Sequence, residues 1–182
     1  MVIWIIIGVV VLLLIWVAAS YNKLVVLRNK VDDQWAQIDV SLKRRFDLIP
    51  NLVETVKGYA KHESETLENV IKARNSFVSA KTPEDEINAN GELTGAISKI
   101  FALAEQYPDL KANTNFLKLQ DELKETEDKI QYARQFYNDS ALMYNNAIEV
   151  FPGVIIASLF GFKKRSYFEA KESERENVQV KF

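Results

Sequence analysis

The chain contains a single histidine, His62, and no cysteine, which restricts the chemistry that its side chains can perform. Nucleophilic catalysis needs an activated nucleophile with a base beside it, so a serine-based site would have to use His62. His62 lies in the charged stretch YAKHESETLE (59–68), whose composition predicts a helix with His62 on its surface. The sequence therefore predicts no catalytic residue, and we do not expect an enzyme.

Motifs for metals and nucleotides are also missing from the sequence. His62-Glu63 lacks the second histidine of a zinc protease HExxH motif, and Glu65 and Glu68 add only carboxylates that would bind a hard cation weakly. Neither a GxGxxG nor a GxxxxGK[ST] loop occurs, and the net charge of −2 provides no global field for nucleic acid. We predict no cofactor, no metal, no nucleic-acid partner and no small-molecule substrate.

Four polar residues lie close to a proline in the sequence. Together with the proline, the group consists of Arg44, Arg45, Asp47, Pro50 and Asn51. One interpretation is ordinary pairing of charges three and four residues apart on a helix. The other is a docking surface for a partner, and these five residues are the candidate interaction surface.

A second polar pattern repeats after seven residues. Tyr137-Asn138 is followed by Tyr144-Asn145, which places both tyrosines on one helical stripe and both asparagines on the neighbouring stripe. Buried asparagines at helix interfaces can fix the register of packing. We prefer that interpretation to ligand binding.

The elements that position these residues begin with an apolar segment. Residues 2–19 carry no charge and run from Val2 to Ala19, with Trp4 and Trp16 near the two ends. This is about the minimum length of a membrane-spanning helix, and tryptophan favours the membrane interface. A cleaved signal peptide is the alternative, but the positively charged start is absent and the apolar run is long.

Positive charge follows this segment at Lys23, Arg28 and Lys30. The positive-inside rule therefore predicts a single-pass protein of the cell membrane, with its N-terminus outside and its body in the cytoplasm. We assign residues 1–20 to the anchor.

Apolar residues after the anchor recur at helical spacing. They are Leu24, Leu27, Val31, Trp35, Ile38, Leu42, Phe46, Ile49 and Val53. Their spacing repeats after eleven residues, about 3.67 per turn, which keeps the stripe on one side of a nearly straight helix. Pro50 should introduce a kink or short break. We predict a helix over about 21–80, kinked near Pro50, with part of its stripe near the membrane left open for self-association.

Similar stripes predict three more helices, at about 83–107, 113–151 and 153–162. Six glycines, four prolines and little β-type alternation leave no strand to predict. The expected fold is all-α: an N-terminal transmembrane helix followed by an antiparallel bundle of long helices over 21–165. Residues 166–182 are predicted to form an extended or loosely docked tail.

The apolar run at 154–162 is too short to span a bilayer and has two interpretations. It could close the bundle as a short helix, or lie at the membrane surface with a basic anchor. The candidate residues for membrane-surface contact are Phe160, Phe162, Lys163, Lys164 and Arg165.

Several long runs resemble the LemA family of bacterial membrane-anchored proteins. They are YNKLVVLRNKVDDQWAQIDVSLKRRFDLIPNLVETVKGYAKHE (21–63), QYPDLKANTNFLKLQDEL (106–123), ARQFYNDS (133–140), YNNAIEVFP (144–152) and GFKKRSYFEA (161–170). The resemblance covers essentially the whole chain and implies an anchor followed by a long-helix bundle. It implies no enzyme mechanism, and suggests a link to membrane proteostasis through HtpX-like membrane proteases.

Together these features favour a non-enzymatic scaffold or adaptor anchored in the membrane. The candidate partners are the lipid bilayer, a second copy of the chain, and a membrane protease or other membrane protein. The alternative function is lipid binding or membrane remodelling through 154–165 and the basic residues after the anchor.

Overall fold

The computed structural model describes residues 1–80 and 83–168, apart from the side chains of residues 83, 84 and 87. Over these residues the regular structure is helical, without strands. The helices are α1 Val2–Lys57, α2 Ser64–Val78, α3 Pro83–Ala104, α4 Pro108–Lys111, α5 Thr114–Glu149 and α6 Gly153–Phe160. The all-α prediction is confirmed. The predicted tail lies outside the described residues from 169 onwards.

Two compact units divide the chain. The central unit comprises residues 38–131, and the terminal unit combines residues 1–37 with the chain from 132 onwards. Both boundaries fall inside helices, within α1 and within α5, so the central unit is one continuous stretch of sequence and the terminal unit is assembled from two. The predicted division into an anchor (1–20), a helical bundle (21–165) and a tail (166–182) stays a prediction.

Helix α1 forms because its apolar stripe is almost entirely buried. Among the predicted positions, those fully buried are Leu24, Val31, Ile38, Leu42, Phe46, Ile49 and Val53, whereas Leu27 and Trp35 are partly buried. The expectation that the stripe near the membrane stays open is wrong for Leu24 and Val31, which are 2% and 1% exposed.

The predicted break at Pro50 is absent, because α1 continues to Lys57. Pro50 lies on the exposed side, while Ile49 and Leu52 beside it are fully buried. A proline inside a helix costs about 3 kcal/mol, which this burial on both sides offsets. The helix predicted over 21–80 is interrupted instead at residues 58–63. This interruption begins with Gly58, directly after Lys57, the last residue of α1.

The core of the central unit joins α1, α2, α3, α4 and α5. Its most deeply buried members include Ile49, Leu52, Val56, Val70, Leu93, Ile100, Leu110 and Phe116. The helices α1 and α5 run antiparallel here, since Arg45 meets Glu127 while Tyr59 meets Asn113. The Tyr107 hydroxyl donates to Glu63 at 3.2 Å, which brings the chain after α3 back to the start of α2.

In the terminal unit, α5 again runs antiparallel to α1. The ring of Trp35 lies 5.7 Å from Tyr137, and the ring of Tyr21 lies 4.8 Å from Phe160, beyond the end of α5. A sharp corner of 93° separates α5 from α6. Gly153 is required at this corner, because a Cβ there would lie 2.0 Å from the carbonyl oxygen of Ala147.

After α6, the chain turns at Gly161, whose φ of 71° favours glycine, and continues without regular structure. We name residues 162–168 the C-terminal strap. The N-terminal segment of α1 is long enough and apolar enough to cross a membrane, and none of that segment is buried within the protein.

Candidate functional site

The residues that could have supported catalysis are dispersed. His62 is exposed in the connection between α1 and α2, not on a helix as predicted. Glu63 accepts a hydrogen bond from Tyr107, and Glu65 and Glu68 are exposed on α2. Among the described residues, no group of three His, Cys, Asp or Glu side chains is placed to hold a metal ion.

Arg45, predicted to belong to an interaction surface, is only 3% exposed. Its Nη1 atom donates to Asn90 Oδ1 at 2.8 Å and to Thr94 Oγ1 at 3.0 Å, and lies 2.6 Å from Glu127 Oε2. Burial lowers the pKa of Arg45 and the Glu127 carboxylate opposes that effect, but a guanidinium stays protonated. Arg45 therefore acts as a clamp joining α1, α3 and α5 inside the central unit.

The other four residues of the predicted interaction surface remain on the outside. Arg44, Asp47, Pro50 and Asn51 are exposed. Asn51 lines an open cleft of about 420 Å³ between α1 and α5, together with Asn115, Lys118 and Glu122. The docking hypothesis stays a prediction, restricted now to these four residues.

The Tyr-Asn repeat binds the backbone of the C-terminal strap. Asn145 donates to the carbonyl of Arg165 at 2.8 Å and accepts from its N–H at 2.9 Å. Asn138 repeats this pair of hydrogen bonds with Phe168 at 2.9 and 2.8 Å. The sequence pattern correctly singled out these asparagines, but their partner is an extended segment instead of another helix.

The two tyrosines of the repeat extend the same interaction. The Tyr144 hydroxyl donates to the carbonyl of Lys163 at 3.0 Å, and the Tyr137 hydroxyl donates to the carbonyl of Ser166 at 3.1 Å. Burial raises the pKa of both hydroxyls, so they remain protonated donors at neutral pH. The repeat is thus a ladder of four side chains that holds the strap through its main chain.

Side chains of the strap add contacts that sequence reasoning did not identify. Phe168 stacks on Trp35 with ring centroids 5.5 Å apart, and the Arg165 guanidinium bonds Asp32 at 2.7 Å. In each pair the two residues are 133 positions apart in the sequence, so no local pattern could have indicated these contacts.

The candidate membrane-surface residues have different environments. Phe160 is half-exposed and packs on Tyr21, and Phe162 is partly buried against Tyr21 and beneath Arg28. Lys163 and Lys164 are exposed, with Lys164 paired to Glu149. Arg165 is engaged by Asp32, so its charge is less available than the sequence suggested.

Comparison with known proteins gives a consistent result. The model of the LemA family matches residues 34–182. A Protein LemA of Metamycoplasma hominis is 28% identical over 163 residues, covering 87% of this chain and 73% of that protein. The Magnetosome protein MamQ of Magnetospirillum gryphiswaldense is 25% identical over 177 residues, covering 83% of this chain and 65% of its own length. The chain thus spans less than two thirds of the magnetosome relative.

Proposed function

Because the chain belongs to the LemA family, a group of membrane-associated proteins, we propose that it is a non-enzymatic scaffold anchored in the membrane. Its partner would be another protein of the same membrane. The observation that carries this proposal is an exposed apolar stripe along α5 in the terminal unit.

The stripe occupies the side of α5 that faces away from its buried residues. Its large members are Tyr132, Phe136 and Met143, which are 64%, 58% and 51% exposed, and Val150, directly after the last residue of α5, continues it at 58%. At 100° per residue they lie within about 40° of one another, whereas the buried Tyr137, Ala141, Tyr144 and Ile148 lie opposite. An apolar helix face of this kind, rich in aromatic residues and methionine, is typical of protein interfaces.

Polar residues within the stripe favour a protein partner over a lipid one. Asp139 and Asn146 project to the same side and are exposed. A carboxylate inside a lipid-facing surface is costly, but at a protein interface it can be paired and can provide specificity. The anchor would also confine both partners to two dimensions, which raises their effective concentration.

Photocrosslinking from full-length protein in native membranes tests this proposal. A benzophenone amino acid would replace Phe136 or Met143, and Val26 provides the matched control because it is an isolated apolar residue of the same unit, 65% exposed. We expect adducts from positions 136 and 143 and few from 26. Their masses would identify a second copy, a membrane protease or another membrane protein.

Absence of protein adducts at both stripe positions, with normal membrane insertion, would reject the scaffold proposal. Equal adducts from all three positions would indicate nonspecific crowding and would also reject it. As a further check, Phe136→Lys should remove the adduct formed from position 143.

We also propose that the protein resides in the cell membrane with its N-terminus outside. The charges at Lys23, Arg28 and Lys30 after the apolar segment support this orientation. The link to membrane proteostasis is supported only by the family resemblance, and would follow from recovery of a membrane protease in the crosslinked adducts.

A further inference from the structure

The short helix α6 is apolar on nearly all sides, but the protein covers only one of them. Ile156 and Ala157 are buried, whereas Val154, Ile155 and Leu159 on the opposite side are exposed. Ser158 is the only polar side chain between Gly153 and Phe160. A helix that is apolar all round is normally surrounded by a protein core or by lipid. The outer side of α6 therefore needs a second apolar environment.

Contacts with α1 locate α6 at the end of the apolar anchor segment. The ring of Phe160 lies 4.8 Å from Tyr21, and the ring of Phe162 lies 5.7 Å from it. Tyr21 is two residues beyond Ala19, the last residue of the charge-free segment 2–19. Those eighteen residues extend about 27 Å, close to the hydrocarbon thickness of about 30 Å. Tyr21 and Phe160 would therefore lie at the level of the lipid headgroups.

The direction of α6 also suits a membrane surface. In the terminal unit α5 runs antiparallel to α1, and α6 turns away from α5 by 93°. The axis of α6 is therefore nearly perpendicular to the spanning helix. This direction makes α6 parallel to the plane of the bilayer. Eight residues extend about 12 Å, so α6 can lie on the bilayer but cannot cross it.

Basic residues flank this short helix. Lys163 and Lys164 follow α6, and Lys23 follows the anchor segment; all three side chains are exposed. Lys164 also pairs with Glu149. Lysines beside an interfacial apolar helix are attracted to anionic headgroups, which adds to the apolar contact.

We propose that α6 is a second membrane contact, which inserts Val154, Ile155 and Leu159 into the interfacial region of the phospholipid bilayer. Phe151, at the corner before α6, is a further exposed apolar residue. This inference rests on the proposed anchoring by residues 2–19, but it is independent of the scaffold's partner. Two contacts restrict how the terminal unit tilts, which fixes the direction that the α5 stripe faces.

Fluorescence of single-cysteine variants in lipid vesicles tests this assignment, since the natural chain has no cysteine. Full-length Leu159→Cys protein would carry an environment-sensitive fluorophore in vesicles of phosphatidylcholine and phosphatidylglycerol. Tyr132→Cys is the matched control, because Tyr132 is 64% exposed, Leu159 is 71% exposed, and both belong to the terminal unit. Tyr132 precedes the end of α5 by about 25 Å along the helix axis. Leu12→Cys reports on the anchor itself.

Nitroxides on lipid acyl chains and aqueous iodide distinguish the outcomes. We expect the label at position 159 to be quenched several-fold more by the lipid nitroxide than the label at 132, and several-fold less by iodide. Equal quenching at 159 and 132, with the label at 12 quenched by lipid, would overturn the proposal while leaving the anchor intact. Protection of position 159 from both quenchers would indicate a protein cover and would also overturn it. Failure of lipid quenching at position 12 would refute the anchoring itself.

Discussion

Arg45 is a buried charge, and its contribution to the stability of the protein depends on three partners from other helices. Its guanidinium contacts Asn90 and Thr94 on α3 and Glu127 on α5, and its Nε has no hydrogen-bond partner among the residues that the structure describes. Burying a charge is costly unless it is paired, so removal of the arginine leaves polar groups without their partner. The arrangement holds the central unit together and exposes no reactive group.

Replacement of Arg45 by methionine should therefore destabilise the protein. We expect a loss of about 2–3 kcal/mol in the free energy of unfolding, below the largest values for buried pairs because Glu127 keeps some access to water. Chemical denaturation of the full chain in detergent measures it. The neighbouring Arg44→Met, on the exposed side, should change stability by less than about 0.5 kcal/mol. Equal effects of the two variants would contradict the clamp.

Glu86 on α3 is expected to make stability depend on pH. Burial, and secondarily the charge of Asp39, raise the pKa of Glu86 above its ordinary value of 4.5. The folded state then binds the proton more tightly than the unfolded state, so the free energy of unfolding falls as pH rises from 4.5 through the folded-state pKa. At neutral pH the ionised carboxylate opposes folding.

Substitution of Glu86 by glutamine should remove this penalty. At neutral pH we expect a gain below about 1 kcal/mol, since Glu86 is partly exposed and solvent screens the effect. The gain should vanish once the pH falls below 4.5, where both states are protonated. Thermal unfolding at both pH values measures the difference. Asp39→Asn should give a smaller part of the gain, and an equal gain at acid pH would refute this account.

At the scale of elements, the strap fits α5 because the distance between the two asparagines along the helix matches the distance between their partners along the strap. Seven residues of helix advance about 10.5 Å, and three residues of extended chain advance about 10 Å. Asn138 and Asn145 can therefore each bind the backbone of a residue in the strap, Phe168 and Arg165, three residues apart. The antiparallel directions of α5 and the strap keep both pairs in register.

Loss of one asparagine should release the strap. Asn145→Ala removes two hydrogen bonds, worth about 1–3 kcal/mol, which corresponds to roughly 5- to 150-fold more frequent opening. The strap contains its own trypsin sites at Lys163, Lys164 and Arg165, so the rate of cleavage there reports on opening. Asn146→Ala, at an exposed neighbouring position, is the control and should leave the rate unchanged. No increase for Asn145→Ala would show that the aromatic contacts alone hold the strap.

At the scale of the whole molecule, the N-terminal part of α1 differs from the rest of the chain because its apolar side chains are exposed. This segment is apolar and uncovered by the protein, which is expected of a helix that lipid surrounds. The basic residues all follow it, and the proposed orientation depends on that charge.

This orientation predicts the accessibility of an exposed residue in the central unit. Lys61→Cys should react with a membrane-impermeant maleimide only after the cells are lysed, because the body would be cytoplasmic. A cysteine added before Met1 should react in intact cells. Labelling of position 61 in intact cells would place the body outside and reverse the proposed topology.

Local patterns in the sequence were sufficient for the anchor, the fold class and most buried positions. Helical periodicity depends on neighbours three and four residues apart, so the stripes of α1, α3 and α5 could be identified without knowing what covers them. The Tyr-Asn repeat was also visible, but its partner was not. The same limitation explains Pro50, whose helix continues because distant residues bury Ile49 and Leu52.

The sequence by itself therefore determined an apolar anchor, an all-helical body and membership in a family, since composition and short-range spacing encode these properties. Only the tertiary structure decided that Arg45 is a buried clamp, that the strap returns to Trp35 and Asp32, and that α6 lies beside Tyr21. Each of these depends on contacts between residues far apart in the chain. Burial and pairing energies at such contacts arise only when the helices pack, so no local pattern records them.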